Sequence, residues 1–190
     1  MKKNIIAVIA LIGLVLWGIY DSGKDSGMMD SKPIEAEEKT GEVVYAPVGI
    51  QKGNLAPDFE LKTMDGETMK LSDFRGKRLI VNLWATWCPP CRAEMPDMQK
   101  FYEENKNKGI EILGVNLTAS EQQPENIAKF IEEFGITFPV VLDEKNSVAD
   151  HYQVVSIPTS YIIDSRGVIQ QKLVGPMNKE MMEELVFSME

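Results

Sequence analysis

The sequence predicts an α/β domain: a mixed sheet, part parallel and part antiparallel, flanked by helices. Three observations predict it. "RLIVNLWA" and "IEILGVNL" are near-continuous apolar runs of the kind found in strands buried on both faces. Segments with apolar residues at helical spacing separate them from each other and from "FPVVLD". Short strand-type runs joined by tight turns stand at either end, "DFELKTMDGETMKLSDF" before and "SYIIDSRGVIQQKLVG" after.

In chain order, residues 1–20 come first as "MKKNIIAVIALIGLVLWGIY", two lysines and then no charge from Ile5 to Tyr20. As a helix this run spans about 24 Å, short of a hydrocarbon core of roughly 30 Å. Trp17 and Tyr20 extend its reach at headgroup level. The sequence predicts an uncleaved membrane anchor with Lys2 and Lys3 on the cytoplasmic side. The rival is a cleaved signal peptide, but "LWGIYDSG" puts bulky residues where a small-residue cleavage site belongs. Either reading places the rest of the chain outside the cytoplasm. Residues 21–52 form an acidic, apolar-poor flexible linker, typified by "DSGKDSGMMDSK".

Residues 53–190 carry the domain. Asp-Gly in "MDGE" turns an N-terminal β-hairpin. After the strand "RLIVNLWA", Met98, Phe101, Tyr102 and Asn105 fall at helical spacing, with Gly109 as the stop. "IEILGVNL" is the next strand. Pro124 opens a helix whose Ile127, Phe130, Ile131 and Phe134 share one face, with Gly135 after it. "FPVVLD" is a strand and "SVADHYQV" a short helix; "SYIID", the turn "SRG" and "VIQQKLVG" make an antiparallel hairpin. Asn178 caps a final helix running to Met189. The order is ββ-βαβαβα-ββα.

The bulk properties exclude some functions. The chain has 190 residues, 44% hydrophobic and 26% charged, ordinary for one globular domain with an extension. A net charge of −9, with no basic patch interleaved with aromatics, argues against nucleic-acid binding.

The chemistry lies in "WATWCPPCRAEMP", which holds both cysteines, Cys88 and Cys91. A bond between residues three apart closes a tiny loop and removes little unfolded-state entropy, so a structural staple is a poor explanation. A closed zinc site needs four ligands, and two cysteines with the single histidine, His151, fall one short. Haem attachment needs C-x-x-C-H, and Arg92 stands in the histidine position. Redox chemistry or inert burial remains. Cys88 ends an apolar strand and begins a helix with Pro89 and Pro90 in its first turn. There a sulfur faces unpaired N–H groups and the positive end of the helix dipole, both of which favour the attacking thiolate. Cys91, one turn on, is placed to resolve a mixed disulfide.

"VNLWATWCPPCRAEMP" resembles the active-site segment of the thioredoxin superfamily. It resembles more closely the membrane-anchored TlpA/ResA-type thiol–disulfide oxidoreductases of bacterial envelopes, over about residues 50–190. "APDFELKTMDGETMKLSDFRGK" and "VSIPTSYIIDSRGVI" share in the likeness. It implies a thioredoxin-like sheet with a central βα insertion from Glu111 to Gly135, and a redox-active Cys88–Cys91 disulfide with no other cofactor and no metal. Pro158 matches a cis-proline beside the cysteines, and the backbone of Ile157 before it would pair with the substrate chain. Pro96 matches a helix-kinking proline. Glu94, three after Cys91, matches an active-site glutamate, as proton acceptor for Cys91 or tuner of cysteine pKa. Asn82 departs from thioredoxin, whose buried aspartate at that place could titrate; Glu94 is the group left for the proton. Trp87 is expected in an apolar collar round the thiols, and His151 is an ordinary helix residue.

The resemblance implies reduction of disulfides in cysteine-containing envelope proteins such as apocytochrome c, with a membrane thiol–disulfide electron carrier as reductant. Two alternatives are a peroxiredoxin-class peroxidase, which shares "APDFEL", and a Sco-type copper chaperone. "VNLWATWC" lacks the proline of the first, and C-x-x-C is one residue shorter than the second requires.

Overall fold

The computed structural model describes residues 46–189. The expected anchor, and the expected linker up to residue 45, lie outside them. Among the described residues no helix is long and apolar enough to cross a membrane.

Seven strands form one sheet in the order β2-β1-β5-β4-β3-β6-β7. β1 (Glu60–Thr63) and β2 (Thr68–Lys70) are the expected hairpin, and Gly66 supplies the positive φ of its turn. β3 (Arg78–Trp84) and β4 (Ile110–Asn116) run parallel at the centre, with β5 (Val140–Leu142) parallel beyond β4. β6 (Thr159–Ile163) lies antiparallel on the other side of β3, and β7 (Ile169–Val174) antiparallel at the edge.

Both faces of the sheet are covered, which is why the central strands read as unbroken apolar runs. Ile80 and Trp84 of β3 point to one face. There they pack with Met95, Met98 and Phe101 of α1 (Pro89–Asn105), Ile127 and Phe130 of α2 (Asn126–Glu133), and Met182 and Val186 of α4 (Lys179–Phe187). Leu79, Val81 and Leu83 point the other way, against Val148 and Ala149 of α3 (Ser147–His151) and the turn Leu71–Phe74. The alternation along β3 decides which side chains can meet the cysteine helix.

Some boundaries differ from the expected ones. α2 starts at Asn126 because Gln123 and Pro124 are taken up in turns that accept from the N–H groups of Asn126 and Ile127. Asn178 does cap α4, its side chain accepting from the Met181 N–H, but the helix ends at Phe187. Residues 46–52 were expected in the linker. Here Val48 bridges Leu55, and the Pro47 carbonyl accepts from the Leu55 N–H at 3.0 Å, so the folded chain is entered before Gly53.

Candidate functional site

Strand β3 delivers Ala85, Thr86 and Trp87 to the start of α1, where Cys88 is the N-cap in extended conformation. Pro89 and Pro90 occupy the first helical positions and have no N–H to offer. The Cys91 N–H is therefore the nearest free donor, and it points at Cys88 Sγ at 3.2 Å. The two sulfurs are joined as a disulfide. Once that bond opens, this donor and the helix N-terminus favour a thiolate at Cys88.

Around Cys88 lies a groove of about 520 Å³, with Trp87, Pro89, Leu117, Val155 and Ile157 on its walls. Cys91 is not on that lining and is fully buried. Ile157 sets its carbonyl oxygen 3.7 Å from Cys88 Sγ, and the Ile157–Pro158 bond is cis. Pro158 itself is buried, and its carbonyl accepts from the Gly175 N–H at 2.9 Å. Val155 is 95% exposed and Trp87 53%, which makes the rim unusually apolar for a free surface. The Trp87 indole is held by its Nε1–H, which donates to the Ser120 carbonyl at 3.1 Å. Trp84, in contrast, is core: it is fully buried and stacks on Phe130 at 4.6 Å.

Glu94 lies on the inner side of α1 and is only 2% exposed. Its Oε1 accepts from Asn82 Nδ2 at 2.9 Å, and its Oε2 from the Met177 N–H at 2.9 Å. Asn82 Nδ2 also donates to Ser160 Oγ at 3.0 Å. Burial pushes the Glu94 carboxyl up to about 7, against the downward pull of the Met177 N–H and, with the Asn82 amide oriented as it is here, of its Nδ2. A carboxyl that changes charge near neutrality, one helical turn from Cys91, can exchange a proton during thiol chemistry.

Among the expected residues, Trp87, Cys88 and Ile157 come together on the groove, with Pro158 next in the chain. Cys91 and Glu94 stand behind, one turn apart on α1. Sequence reasoning missed Glu121, which sits in the inserted element. Its Oε1 accepts from the Thr86 N–H at 2.7 Å and from Asn116 Nδ2 at 2.9 Å, and its Oε2 from Thr86 Oγ1 at 2.6 Å. One carboxylate thus fixes the loop that presents Trp87 and Cys88. No local signal marks it, because Thr86 and Glu121 are 35 positions apart. Met177 was equally invisible, since its contribution is a backbone N–H.

The model of the AhpC/TSA family matches residues 52–172. The thioredoxin-like protein YneN of Bacillus subtilis (strain 168) is 47% identical over 72% of the chain and 79% of its own length. The thiol-disulfide oxidoreductase ResA of Bacillus thuringiensis subsp. konkukian is 32% identical over 97% of the chain and 96% of its own length. Among solved structures, StoA from Bacillus subtilis matches with a TM-score of 0.61 and 35% identity, covering 68% of the chain and 96% of StoA. The sheet and helices are accordingly those of the thioredoxin-like fold.

Proposed function

The chain belongs to the AhpC/TSA family and is a thiol–disulfide oxidoreductase of the ResA kind; from that footing we propose that it reduces disulfides in envelope proteins, tethered by residues 1–20 with its domain outside the cytoplasm. The observation that carries the reaction is the asymmetry of the pair. Cys88, itself only 2% exposed, lines the groove at a helix N-terminus, whereas Cys91 is fully buried and absent from that lining.

In the proposed reaction the reduced protein meets an oxidised substrate laid along Ile157 and Pro158. The Cys88 thiolate attacks one substrate sulfur, forming a mixed disulfide and releasing the other sulfur as a thiolate. The Cys91 thiol passes its proton to the Glu94 carboxylate and attacks Cys88 Sγ. The Cys88–Cys91 disulfide forms, and the second substrate thiol leaves. Two electrons have moved from the dithiol to the substrate, and a membrane thiol–disulfide carrier returns them. Trp87 and Val155 supply apolar contact for the substrate chain. Apocytochrome c, whose cysteines must be reduced, is a fitting substrate of this class.

Full-length Cys91→Ala, expressed in cells, tests reaction and placement together. It should accumulate mixed disulfides at Cys88 in the membrane fraction that a protease added outside the cells digests, whereas Cys88→Ala should capture none. Adducts protected from that protease would overturn the placement. Absence of adducts from both variants would overturn the reaction.

A further inference from the structure

Both oxygens of the buried Glu94 carboxylate face hydrogen-bond donors, the Asn82 amide on Oε1 and the Met177 N–H on Oε2. That arrangement suits the ionised group. A protonated Glu94 would instead aim its new O–H at a donor, and an unpaired buried hydroxyl is costly. The Met177 N–H is fixed by the backbone, but the Asn82 amide can turn. Its Nδ2 donates to both Glu94 Oε1 and Ser160 Oγ. Its Oδ1, equally buried, has no hydrogen-bond partner among the described residues.

We propose that Asn82 is the positioning residue for Glu94, its amide turning end for end as the carboxyl gains and loses a proton. With Glu94 ionised, Nδ2 faces Oε1 and Ser160. With Glu94 protonated, Oδ1 takes that place and accepts from the Glu94 O–H and the Ser160 O–H. A serine hydroxyl both donates and accepts, so Ser160 keeps its bond in either orientation. Two hydrogen bonds form each way, and one end of the amide is bare each way. The proton thus finds an acceptor without disturbing the Met177 loop.

The groups facing Glu94 leave the titration to Glu94 itself. Asn82 from β3, Ser160 behind it from β6 and the Met177 N–H from the loop before α4 are all neutral. On α1, Cys91 does not titrate while bonded to Cys88. The inference rests on the proposed role of Glu94 only for its consequence in turnover.

The test is NMR on the oxidised full-length protein from about pH 5 to about pH 9, following the Glu94 carboxyl carbon and the Asn82 side-chain amide protons. Contacts from those protons to Glu94 Hγ and Ser160 Hβ should be present above the Glu94 midpoint and lost below it, with one shared midpoint. Contacts that persist unchanged through the titration overturn the proposal. Asn82→Ala gives a second reading. Losing a fixed donor would raise the Glu94 midpoint by about one pH unit or more. An amide that serves both protonation states leaves it nearly unmoved, and a rise of about one unit overturns the proposal. The turnover of Glu94→Gln is judged separately: if unchanged, it removes Glu94 from the reaction and leaves the NMR result standing.

Discussion

At the residue scale, Glu94 shows how position overrides side-chain type. An acid three places after a cysteine reads from sequence as a solvated helix residue unless the family likeness is invoked. Its burial depends on contacts from β3 and, 83 positions away, from the Met177 N–H. Local pattern cannot foresee such partners. The burial has a consequence for stability. The carboxyl protonates at about 7 in the folded chain, against an ordinary 4.5. The folded state therefore holds this proton more tightly than the unfolded state, so stability falls as pH rises between those values and levels off above. The loss is about 3 kcal/mol over that window. Urea unfolding of wild type and Glu94→Gln should show the variant gaining on wild type from about pH 5 to about pH 7. Parallel curves would show that Glu94 ionises as an exposed acid does.

At the scale of elements, α1 and its approach were largely legible. An apolar strand, two prolines and the helical spacing of Met98, Phe101 and Tyr102 require little tertiary information. The place of Cys88 at the start of that helix followed from those cues alone. What fixes the approach was not legible, because Glu121 reaches Thr86 and Asn116 from the inserted element. Three hydrogen bonds to one carboxylate are worth more than a surface ion pair, since charge-assisted bonds are about twice as strong as neutral ones. Glu121→Ala should cost about 2 kcal/mol and slow disulfide reduction several-fold, while leaving the Glu94 midpoint in place. Thermal unfolding, turnover and the Glu94 titration check the three parts. A variant with wild-type turnover would show that the loop needs no such brace.

At the scale of the whole molecule, the element order ββ-βαβαβα-ββα was readable because each face of the sheet leaves its own periodicity. Unbroken runs mark β3 and β4, and the two hairpins carry turn residues such as Gly66. The start of the domain was less readable. Pro47 and Val48 join it through backbone contacts to Leu55, which composition does not reveal. The fold places one sulfur on an apolar groove, keeps the other behind it and buries an acid one helical turn further on. That arrangement suits a dithiol that attacks with Cys88 and closes with Cys91. The most direct measurement of this central claim is reduction of insulin disulfides by the full-length protein with a thiol donor, comparing wild type, Cys88→Ala and Cys91→Ala. Wild type should turn over, Cys91→Ala should stall after forming a mixed disulfide, and Cys88→Ala should be inert. A Cys88→Ala variant that turns over at the wild-type rate would contradict the account.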